Sequence, residues 1–341
     1  MSTKEVIIIG GGLSGIMAAR TLIEKGVEDI LILEKSSSVG GRLATERVGE
    51  GRADHGAQFF TVRSSELKKD VEKWLEAGWV KRWFGTPYPR YTSVNGMNAL
   101  AKQLAETIPV KLNTKVSAIH DGRDGPLEVK LENGGSVLGK LCMVTAPVPQ
   151  ALSLLKGMTL PQVSTISFAP CFVGMFSFDG ASRIPSPGHL DEKLPDGVER
   201  VVDHRKKGIS STVTLSVYMT GDWSKKNDRL EDHEILVEIQ KVAERYLEKG
   251  SEITEAGLKH WKYAEAEEVV RTPFVEMGHE SQIILCGDAF LRNNDEAGRT
   301  RFESAYLSGI SAGGRAAEKL KGNMISLHND GILNKHYKKL H

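Results

Sequence analysis

The chain has 341 residues, of which 40% are hydrophobic and 26% are charged, and its formal net charge is +1. This is the composition of a globular protein with room for two domains, and it excludes a disordered or fibrous chain. The small net charge gives no reason to expect a nucleic-acid partner, and no apolar run reaches the roughly 18 residues of a membrane helix. We therefore expect a cytoplasmic protein with neither nucleic acid nor membrane as a partner.

The first predicted element is a strand over residues 6–9, a β-branched run of the kind that is buried on both faces. It leads into a turn that fits the pattern G-x-G-x-x-G, and a helical pattern follows. Here Gly10 permits the tight turn, Gly12 lets the backbone approach a diphosphate, and Gly15 lets the helix pack closely on the strand. The start of the helix also offers free N–H groups to such an anion. The turn residues predicted to hold a dinucleotide are Gly10, Gly12, Leu13, Ser14 and Gly15.

Glu34 follows the second predicted strand, residues 30–33, and lies about 20 residues after the last glycine of the turn. An acidic residue at this spacing accepts hydrogen bonds from an adenosine ribose, whereas it would repel a 2′-phosphate. The strand before the turn, the helix after it and Glu34 together predict a Rossmann-like dinucleotide-binding unit.

A second phosphate clamp is predicted shortly after Glu34. Lys35 is followed by Gly40, Gly41 and Arg42. The two glycines allow the chain to pass close to a diphosphate, and Arg42 can neutralise that diphosphate with its planar fork of donors. A plain NAD-binding domain has no need of this second clamp, so the pattern favours FAD as the cofactor.

The third part of the predicted FAD site lies near the other end of the chain. Residues 281–286 have the pattern of a strand, Asp288 follows, and a helix begins at Phe302. Asp288, at the end of the strand, can accept hydrogen bonds from ribityl hydroxyls. The start of the helix, with Ala305 and Tyr306, would face the flavin edge on which negative charge gathers on reduction. Small residues further along would let the helix pack against the cofactor or the first helix.

The predicted fold class is α/β: a Rossmann-like FAD-binding domain of the glutathione-reductase type with an inserted β-meander, plus an α+β substrate domain with an antiparallel sheet. The meander is predicted from three strands joined by hairpin turns, residues 110–119, 127–131 and 136–144. The FAD-binding domain is discontinuous and comprises residues 1–61, 91–150 and 267–341. The substrate domain comprises residues 62–90 and 151–266.

Five pieces of the sequence together resemble the flavin-containing amine oxidase superfamily. They are the glycine-rich turn, Glu34-Lys35, Gly40-Gly41-Arg42, the segment Asp54-x-Gly56-Ala57-Gln58-Phe59, and Gly287-Asp288. The compact length, that segment and the phrase His260-Trp261-Lys262-Tyr263-Ala264 are most similar to the renalase-like branch. The resemblance spans nearly the whole chain and implies a two-domain fold that binds FAD in an extended conformation.

The resemblance also implies contacts between individual residues and FAD. The residues that match cofactor-contacting motif positions are Ser14, Glu34, Arg42, Gln58 and Phe59. Phe60 adjoins them, and Val116 resembles a residue whose backbone meets the adenine. Relatives that bind the flavin covalently use a cysteine just before the last helix, and residues 290–302 contain none. We therefore expect FAD to be bound non-covalently.

Renalase-like enzymes are associated with the oxidation of dihydronicotinamide isomers, namely 2- and 6-dihydro-NAD(P) and α-NAD(P)H. They are associated with transfer of the electrons to O₂, which gives hydrogen peroxide. The resemblance thus implies a small-molecule substrate of this kind. Aromatic walls suit a flat, uncharged dihydropyridine ring, and the residues predicted to bind it are Trp261, Tyr263 and His204. Further candidates are His260, Phe60 and Tyr218.

Hydride transfer between a dihydropyridine and a flavin needs contact between the two rings and no acid or base from the protein. We therefore predict no catalytic side chain. The three cysteines, Cys142, Cys171 and Cys286, fit neither a metal pattern nor a disulfide framework, so no metal is expected. Two alternatives stay open: a flavin amine oxidase or dehydrogenase acting on a small amine, which often uses a lysine close to the flavin, and a non-catalytic FAD-binding module.

Overall fold

The structure, a computed structural model, describes residues 3–123, 125–158 and 160–337, with side chains described in these ranges except at 281 and 323–337. The strands are β1 (Lys4–Ile9), β2 (Ile30–Leu33), β3 (Thr45–Val48), β4 (Gly51–Asp54), β5 (Val80–Phe84), β6 (Arg90–Ser93), β7 (Val110–Lys111), β8 (Val116–His120), β9 (Leu127–Leu131), β10 (Ser136–Val144), β11 (Phe168–Asp179), β12 (His189–Leu190), β13 (Val198–Asp203), β14 (Val213–Met219), β15 (Glu252–Ala266), β16 (Val275–Met277) and β17 (Ile283–Leu285). The helices are α1 (Leu13–Glu24), α2 (Ser65–Glu76), α3 (Met97–Leu104), α4 (Val148–Leu154), α5 (His204–Lys207), α6 (Gly221–Asn227), α7 (Asp232–Glu244) and α8 (Phe302–Tyr337).

The first sheet is built around β1, which is buried on both faces as its β-branched run predicts. The strand order is β16-β17-β10-β1-β2-β7, and β1 pairs in parallel with both β10 and β2. Val6 and Ile8 belong to one apolar core, whereas Ile7 and Ile9 belong to the core on the opposite face. A parallel sheet needs such cover on both sides. The predicted α/β class with a Rossmann-like unit is confirmed.

Helix α8 packs directly on α1, and glycines set the distance between the two helices. A Cβ atom on Gly309 would lie 2.3 Å from the backbone oxygen of Ser14, and one on Gly313 would lie 2.5 Å from that of Ala18. The small residues of α8 predict packing against the cofactor or against the first helix. The structure shows the contact with the first helix. Through this contact the last described helix lies against the element that starts the dinucleotide unit.

Strands β8, β9 and β10 form the predicted β-meander, since β9 is antiparallel to both of its neighbours. The single strand predicted over residues 110–119 is wrong in one respect, because the chain breaks it into β7 and β8. Between them Asn113 has a φ of 50°, which ends the extended backbone. The break lets β7 pair with β2 at the edge of the first sheet while β8 belongs to the meander.

The second sheet is antiparallel, as predicted, with the strand order β12-β13-β14-β11-β15. One face packs on α7 through the buried side chains of Ile235, Ile239 and Ala243. The opposite face packs on the hairpin of β3 and β4, at Val48 and Ala53. That hairpin leads from the second glycine turn into the segment that resembles a flavin-contacting motif, so the second sheet lies next to the predicted cofactor site.

Helix α2 contributes to the core of the first sheet, where Leu67, Val71 and Trp74 are buried in the same apolar cluster as Val6 and Ile8. The bounds of the two predicted domains, with 62–90 in the substrate domain, stay a prediction. In the described part of the chain, no helix combines the length and the apolar character that crossing a membrane requires. The cytoplasmic location likewise stays a prediction.

Replacing Gly313 by alanine is expected to destabilise the protein, because the new Cβ would meet the backbone of Ala18, which no rotamer change can relieve. We expect the free energy of unfolding to fall by roughly 1–3 kcal/mol, the usual cost of overpacking. The matched control is Gly314→Ala, whose Cβ would meet only the flexible Lys25 side chain, at 3.6 Å. This change should raise stability by about 0.5–1 kcal/mol. Urea unfolding measures both, and equal effects would contradict the packing of α8 on α1.

Candidate cofactor and substrate site

The glycine-rich turn has the geometry of an anion site at the start of α1. Gly10 has a φ of 105°, and a Cβ on Gly15 would lie 2.1 Å from the carbonyl oxygen of Gly10, so the turn closes only without side chains. A Cβ on Gly12, in contrast, would meet nothing within 4 Å. No described side chain caps α1, and its first turn carries no acidic residue. The N–H groups at Leu13 and Ser14 can therefore bind a diphosphate placed over Gly12.

Glu34 lies beside this turn at the end of β2 and is 6% exposed. Its carboxylate accepts the Gly11 N–H at 2.7 Å and the Ser36 N–H at 2.7 Å, one on each oxygen. Each oxygen keeps a further lone pair, so Glu34 can also accept the hydroxyls of a ribose. The Thr114 N–H donates to the backbone oxygen of Glu34 at 2.8 Å, which brings the start of β8, with buried Val116, to the same end of the sheet.

The second glycine turn meets the first. Gly12 and Gly40 form a parallel bridge, and a Cβ on Gly41 would lie 3.4 Å from the Cα of Gly12. Arg42 then forms a bidentate pair with Asp288, in which Nη1 donates to Oδ2 at 2.8 Å and Nη2 donates to Oδ1 at 2.5 Å. The guanidinium of Arg42 thus joins the second glycine turn to Asp288, and this turn lies against the first one at Gly12.

Several residues predicted to contact FAD lie in the core or on the surface. Phe60 is 2% exposed and stacks on Phe302, with ring centroids 4.3 Å apart. Tyr306 is 1% exposed in the same apolar cluster, and half-buried Ala305 packs against that cluster. Lys35 is exposed. The structure gives these residues packing or surface positions, and their contacts with FAD stay a prediction.

Asp54 ends β4, and its carboxylate is fully buried. One carboxylate oxygen accepts the Thr45 hydroxyl at 2.5 Å and the Met97 N–H at 2.9 Å. The other accepts the ammonium of Lys207 at 2.6 Å. Lys207 also has no exposed side-chain surface, and burial lowers its pKa, an effect that Asp54 opposes. A charge removed from water needs such a partner, and this one joins β4 to α5, which follows β13 of the second sheet.

Gln58 belongs to the same buried network and is 1% exposed. Its Oε1 accepts a hydrogen bond from Lys207 at 2.9 Å, while its Nε2 donates to the backbone oxygen of Asp54 at 2.8 Å and to the hydroxyl of Tyr218. Burial raises the pKa of Tyr218 well above its ordinary value, so this residue stays a neutral phenol. Both polar ends of the Gln58 side chain are thus used inside the protein, where they orient the flavin-motif segment.

Phe59 is half-buried and belongs to an aromatic cluster that the sequence analysis did not single out. Its ring lies 5.6 Å from the rings of Phe84 and His189 and 6.3 Å from that of Trp83. Adjacent aromatic residues in a short strand are a signal that could have drawn attention to Trp83 and Phe84. Nothing comparable marks His189, which reaches the cluster from β12.

Trp261 lies where the second sheet meets the cofactor domain. Its Nε1 donates to the backbone oxygen of His55 at 2.6 Å, and its ring stacks on the imidazole of His55 with centroids 5.5 Å apart. The ammonium of Lys259 lies 4.9 Å from the centroid of the Trp261 ring. Arg42 reaches the same strand, since its Nη1 donates to the backbone oxygen of Ala264 at 3.0 Å. Strand β15 therefore runs alongside both the turn that carries Arg42 and the flavin-motif segment, residues 54–59.

The other two residues predicted to bind substrate lie elsewhere. The pairing of β15 with β11 becomes irregular after Trp261, and Tyr263 packs into the core with its ring 6.0 Å from that of Phe168. His204 is fully buried, with its Nε2 2.7 Å from the hydroxyl of Ser216. Of the three predicted substrate residues, Trp261 bonds residue 55 directly, whereas His204 reaches the segment through Ser216, whose hydroxyl donates to the backbone oxygen of Asp54.

The buried histidines around the site are neutral at physiological pH. Burial lowers the pKa of His55 to about 4, with Lys259 as a further cause and Asp54 opposing. Burial likewise lowers the pKa of His189 to about 4 and that of His204 well below its ordinary value. Neutral imidazoles cannot serve as cationic acids. These residues therefore offer a bound molecule stacking and hydrogen bonds, but no protonated ring.

The described segments fit an extended FAD. The open space and free N–H groups at Gly12 suit the diphosphate, Glu34 suits the adenosine ribose, and Arg42, paired with Asp288, supplies further N–H donors beside the second glycine turn. Within the described ranges, no group of three His, Cys, Asp or Glu side chains is placed to hold a metal ion. Which atom of FAD each residue contacts stays a prediction.

Comparison with protein families supports this cofactor. A model described as "NAD(P)-binding Rossmann-like domain" matches residues 8–74, and one described as "Flavin containing amine oxidoreductase" matches residues 76–315. Polyamine oxidase 7 of Oryza sativa subsp. japonica is 46% identical over 66 residues, 19% of this chain and 14% of that protein. Polyamine oxidase 1 of Zea mays is 53% identical over 38 residues, 11% of this chain and 8% of that protein. The chain thus matches less than a fifth of the length of these relatives.

A solved structure, described as a putative protoporphyrinogen oxidase from Exiguobacterium sp., covers 95% of this chain and 100% of its own, with a TM-score of 0.64. At 13% identity this likeness shows the fold alone. The flavin family model covers more than half of the chain, which confirms the predicted superfamily and its FAD, whereas the renalase-like branch stays a prediction. The chain therefore belongs to the family of flavin-containing amine oxidoreductases, with non-covalent FAD as its cofactor.

Proposed function

We propose that the protein is a renalase-like oxidase of dihydronicotinamide nucleotides, with O₂ as the electron acceptor and hydrogen peroxide as the product. The observation that carries this proposal is the face of the second sheet beside the flavin-motif segments. There the half-buried ring of Trp261 contacts both the imidazole of His55 and the ammonium of Lys259. The dihydropyridine ring of a nucleotide can pack against such an aromatic surface while the phosphates of that nucleotide pair with the cation.

Cross-strand pairing places a second cation on this face. Arg200 of β13 is opposite Tyr218 of β14. Val173 of β11 is in turn opposite both Tyr218 and Lys259. Directly opposite residues share one face of a sheet, and the guanidinium of Arg200 lies 5.6 Å from the centroid of the Tyr218 ring. Because Arg200 pairs with Glu199, Lys259 is the stronger anion-binding group of the two.

The charge of this face favours a nucleotide over an amine. A nicotinamide nucleotide is aromatic at one end and anionic along its phosphates, so it matches aromatic rings flanked by Lys259 and Arg200. A protonated polyamine would meet the like charge of Lys259 there, which is unfavourable across a binding surface, whereas the charge of Arg200 is offset by Glu199. The curated polyamine oxidases share too little of the chain to weigh against this difference.

The chain's own residues bind and orient in this proposal, and none is asked to transfer a proton. Arg42, which bonds Asp288 and Ala264 with three of its five N–H groups, has further donors for the cofactor's diphosphate. Trp261 forms a wall against which the substrate ring packs. His55 stays neutral beside it. FAD, when bound, supplies the hydride acceptor and returns the electrons to O₂. Correct stacking of the two rings is then the main requirement, and positioned side chains can supply it.

Anaerobic mixing of the purified holoenzyme with 6-dihydro-NAD is expected to bleach the yellow flavin absorbance, and admission of O₂ should restore it with release of hydrogen peroxide. Ordinary NADH and a polyamine are the comparison reductants. Bleaching by the polyamine and not by the isomers would replace this proposal with the amine oxidase alternative. A flavin that dithionite bleaches, but no substrate does, would indicate a non-catalytic FAD-binding module.

Replacing Lys259 by glutamine is expected to raise KM for the dihydronicotinamide nucleotide by about tenfold, since a charge-assisted contact with phosphate is lost. The value of kcat should change little, because the cation does not touch the reacting ring. Lys262→Gln is the matched control, an exposed lysine on the same strand. Steady-state peroxide release measures both variants. A KM equal in Lys259→Gln and the unaltered enzyme would remove Lys259 from the substrate surface.

Replacing Arg42 by methionine is expected to weaken FAD binding by about tenfold to a hundredfold, because the diphosphate loses a charged donor and the second glycine turn loses its ion pair with Asp288. Arg47→Met, an exposed arginine on the neighbouring β3, is the control and should bind FAD normally. Titration of the stripped protein with FAD, followed by flavin fluorescence, gives both dissociation constants. Unchanged affinity in the Arg42 variant would exclude this residue from the phosphate clamp.

A further inference from the structure

We propose that Lys207 is a positioning residue for FAD: from the second domain it holds residues 54–58, and these hold the turn that carries Arg42. Lys207 does not face the open space over Gly12 and touches the cofactor only through these intermediates. The proposal depends on FAD binding, which the family membership establishes, and not on the identity of the substrate.

The first link is the placement of the ammonium. Its partners are the Oδ2 of Asp54 at 2.6 Å and the Oε1 of Gln58 at 2.9 Å, and it lies 4.8 Å from the centroid of the Trp83 ring. Helix α5 is a single turn whose two ends are fixed. The side chain of Asp203 caps its start, and Gly208, with a φ of 79°, ends it. A short turn capped in this way gives Lys207 a defined direction.

The second link runs from residues 54–58 to the phosphate clamp. The Ala57 N–H donates to the backbone oxygen of Arg42 at 2.8 Å, and the His55 N–H donates to that of Ala44 at 3.2 Å. A Cβ on Gly56 would lie 2.0 Å from the same Arg42 oxygen, so the two backbones are in direct contact. A shift of residues 54–58 therefore moves the backbone of the turn that carries Arg42.

Stability alone does not account for a lysine at this position. An apolar pair of similar volume commonly stabilises a fold as well as a buried ion pair does, because it avoids the desolvation of two charges. The ion pair adds specificity, because the Lys207 ammonium can donate to both Asp54 and Gln58 in one arrangement of those two side chains. We infer that the pair specifies the geometry of the cofactor site.

The test compares Lys207→Met and the double variant Asp54→Asn/Lys207→Met with the unaltered full-length protein. Both should bind FAD about tenfold or more weakly, the change expected for one charge-assisted hydrogen bond. The absorbance and visible circular dichroism of the bound flavin should also change. In Lys207→Met the charge of Asp54 stays buried without a partner, which can prevent folding. The double variant removes both charges, so FAD binding can still be measured if Lys207→Met does not fold. A folded variant with unaltered FAD affinity and an unaltered flavin spectrum would overturn the proposal.

The matched control is Lys206→Met. This neighbour lies on the same helical turn, but its ammonium donates to the backbone oxygens of Ser182 and Ile184 within the second domain. We expect Lys206→Met to lower thermal stability while the FAD affinity and flavin spectrum stay as in the unaltered protein. If Lys206→Met weakened FAD binding as much as Lys207→Met, general destabilisation would explain both and the positioning role would be wrong.

A third comparison tests whether Lys207 acts through Gln58. Gln58→Leu leaves the ion pair intact and removes the acceptor that Lys207 holds. It should weaken FAD binding to a similar extent, and adding it to the double variant should cause little further loss, since coupled residues are not additive. Fully additive losses would show that Lys207 and Gln58 act separately, and would overturn the proposed route.

Discussion

A carboxylate without access to water has to be neutralised inside the protein, and the pairing of Asp54 organises the space between the two sheets. Its ion pair with Lys207 joins β4 to α5, and its acceptance of the Met97 N–H fixes the start of α3. Its backbone oxygen receives the hydroxyls of Ser216 and Tyr218 from β14. Removing one partner of such a pair costs about 3–5 kcal/mol, so the fold and the placement of the flavin-motif segment depend on the same contact.

Around that centre, the cofactor site is formed largely by backbone. The two glycine turns touch at Gly12 and Gly40. Because Gly309 has no side chain, the main chains of α8 and α1 are in contact at that point. Charged side chains act at few points, chiefly Glu34 and Arg42. A site of this kind recognises the shape and charge of a dinucleotide. In our proposal, recognition of the substrate falls to the aromatic and cationic face of the second sheet, which is separate in sequence.

The parts of the site that could be predicted depend on residues close in sequence. The turn, the spacing to Glu34 and the strand–helix pattern follow local rules of conformation, and the structure confirms the Rossmann-like unit that they predict. Lys207 could not be predicted, because a run of basic residues resembles solvated surface, and its partner Asp54 is 153 residues away. Nor could the packing of Tyr263, since a regular strand would place it on the face of Trp261 and only the irregular pairing with β11 separates the two.

The contacts of Arg42 also join parts of the chain that are synthesised at well-separated times. Its guanidinium is held by a carbonyl 222 residues later in the chain and by a carboxylate 246 residues later. A growing polypeptide that has left the ribosome as far as β14 has both glycine turns but neither of those anchors. The site around Arg42 is therefore assembled only once the chain up to Asp288 has been synthesised and folded back onto the second glycine turn.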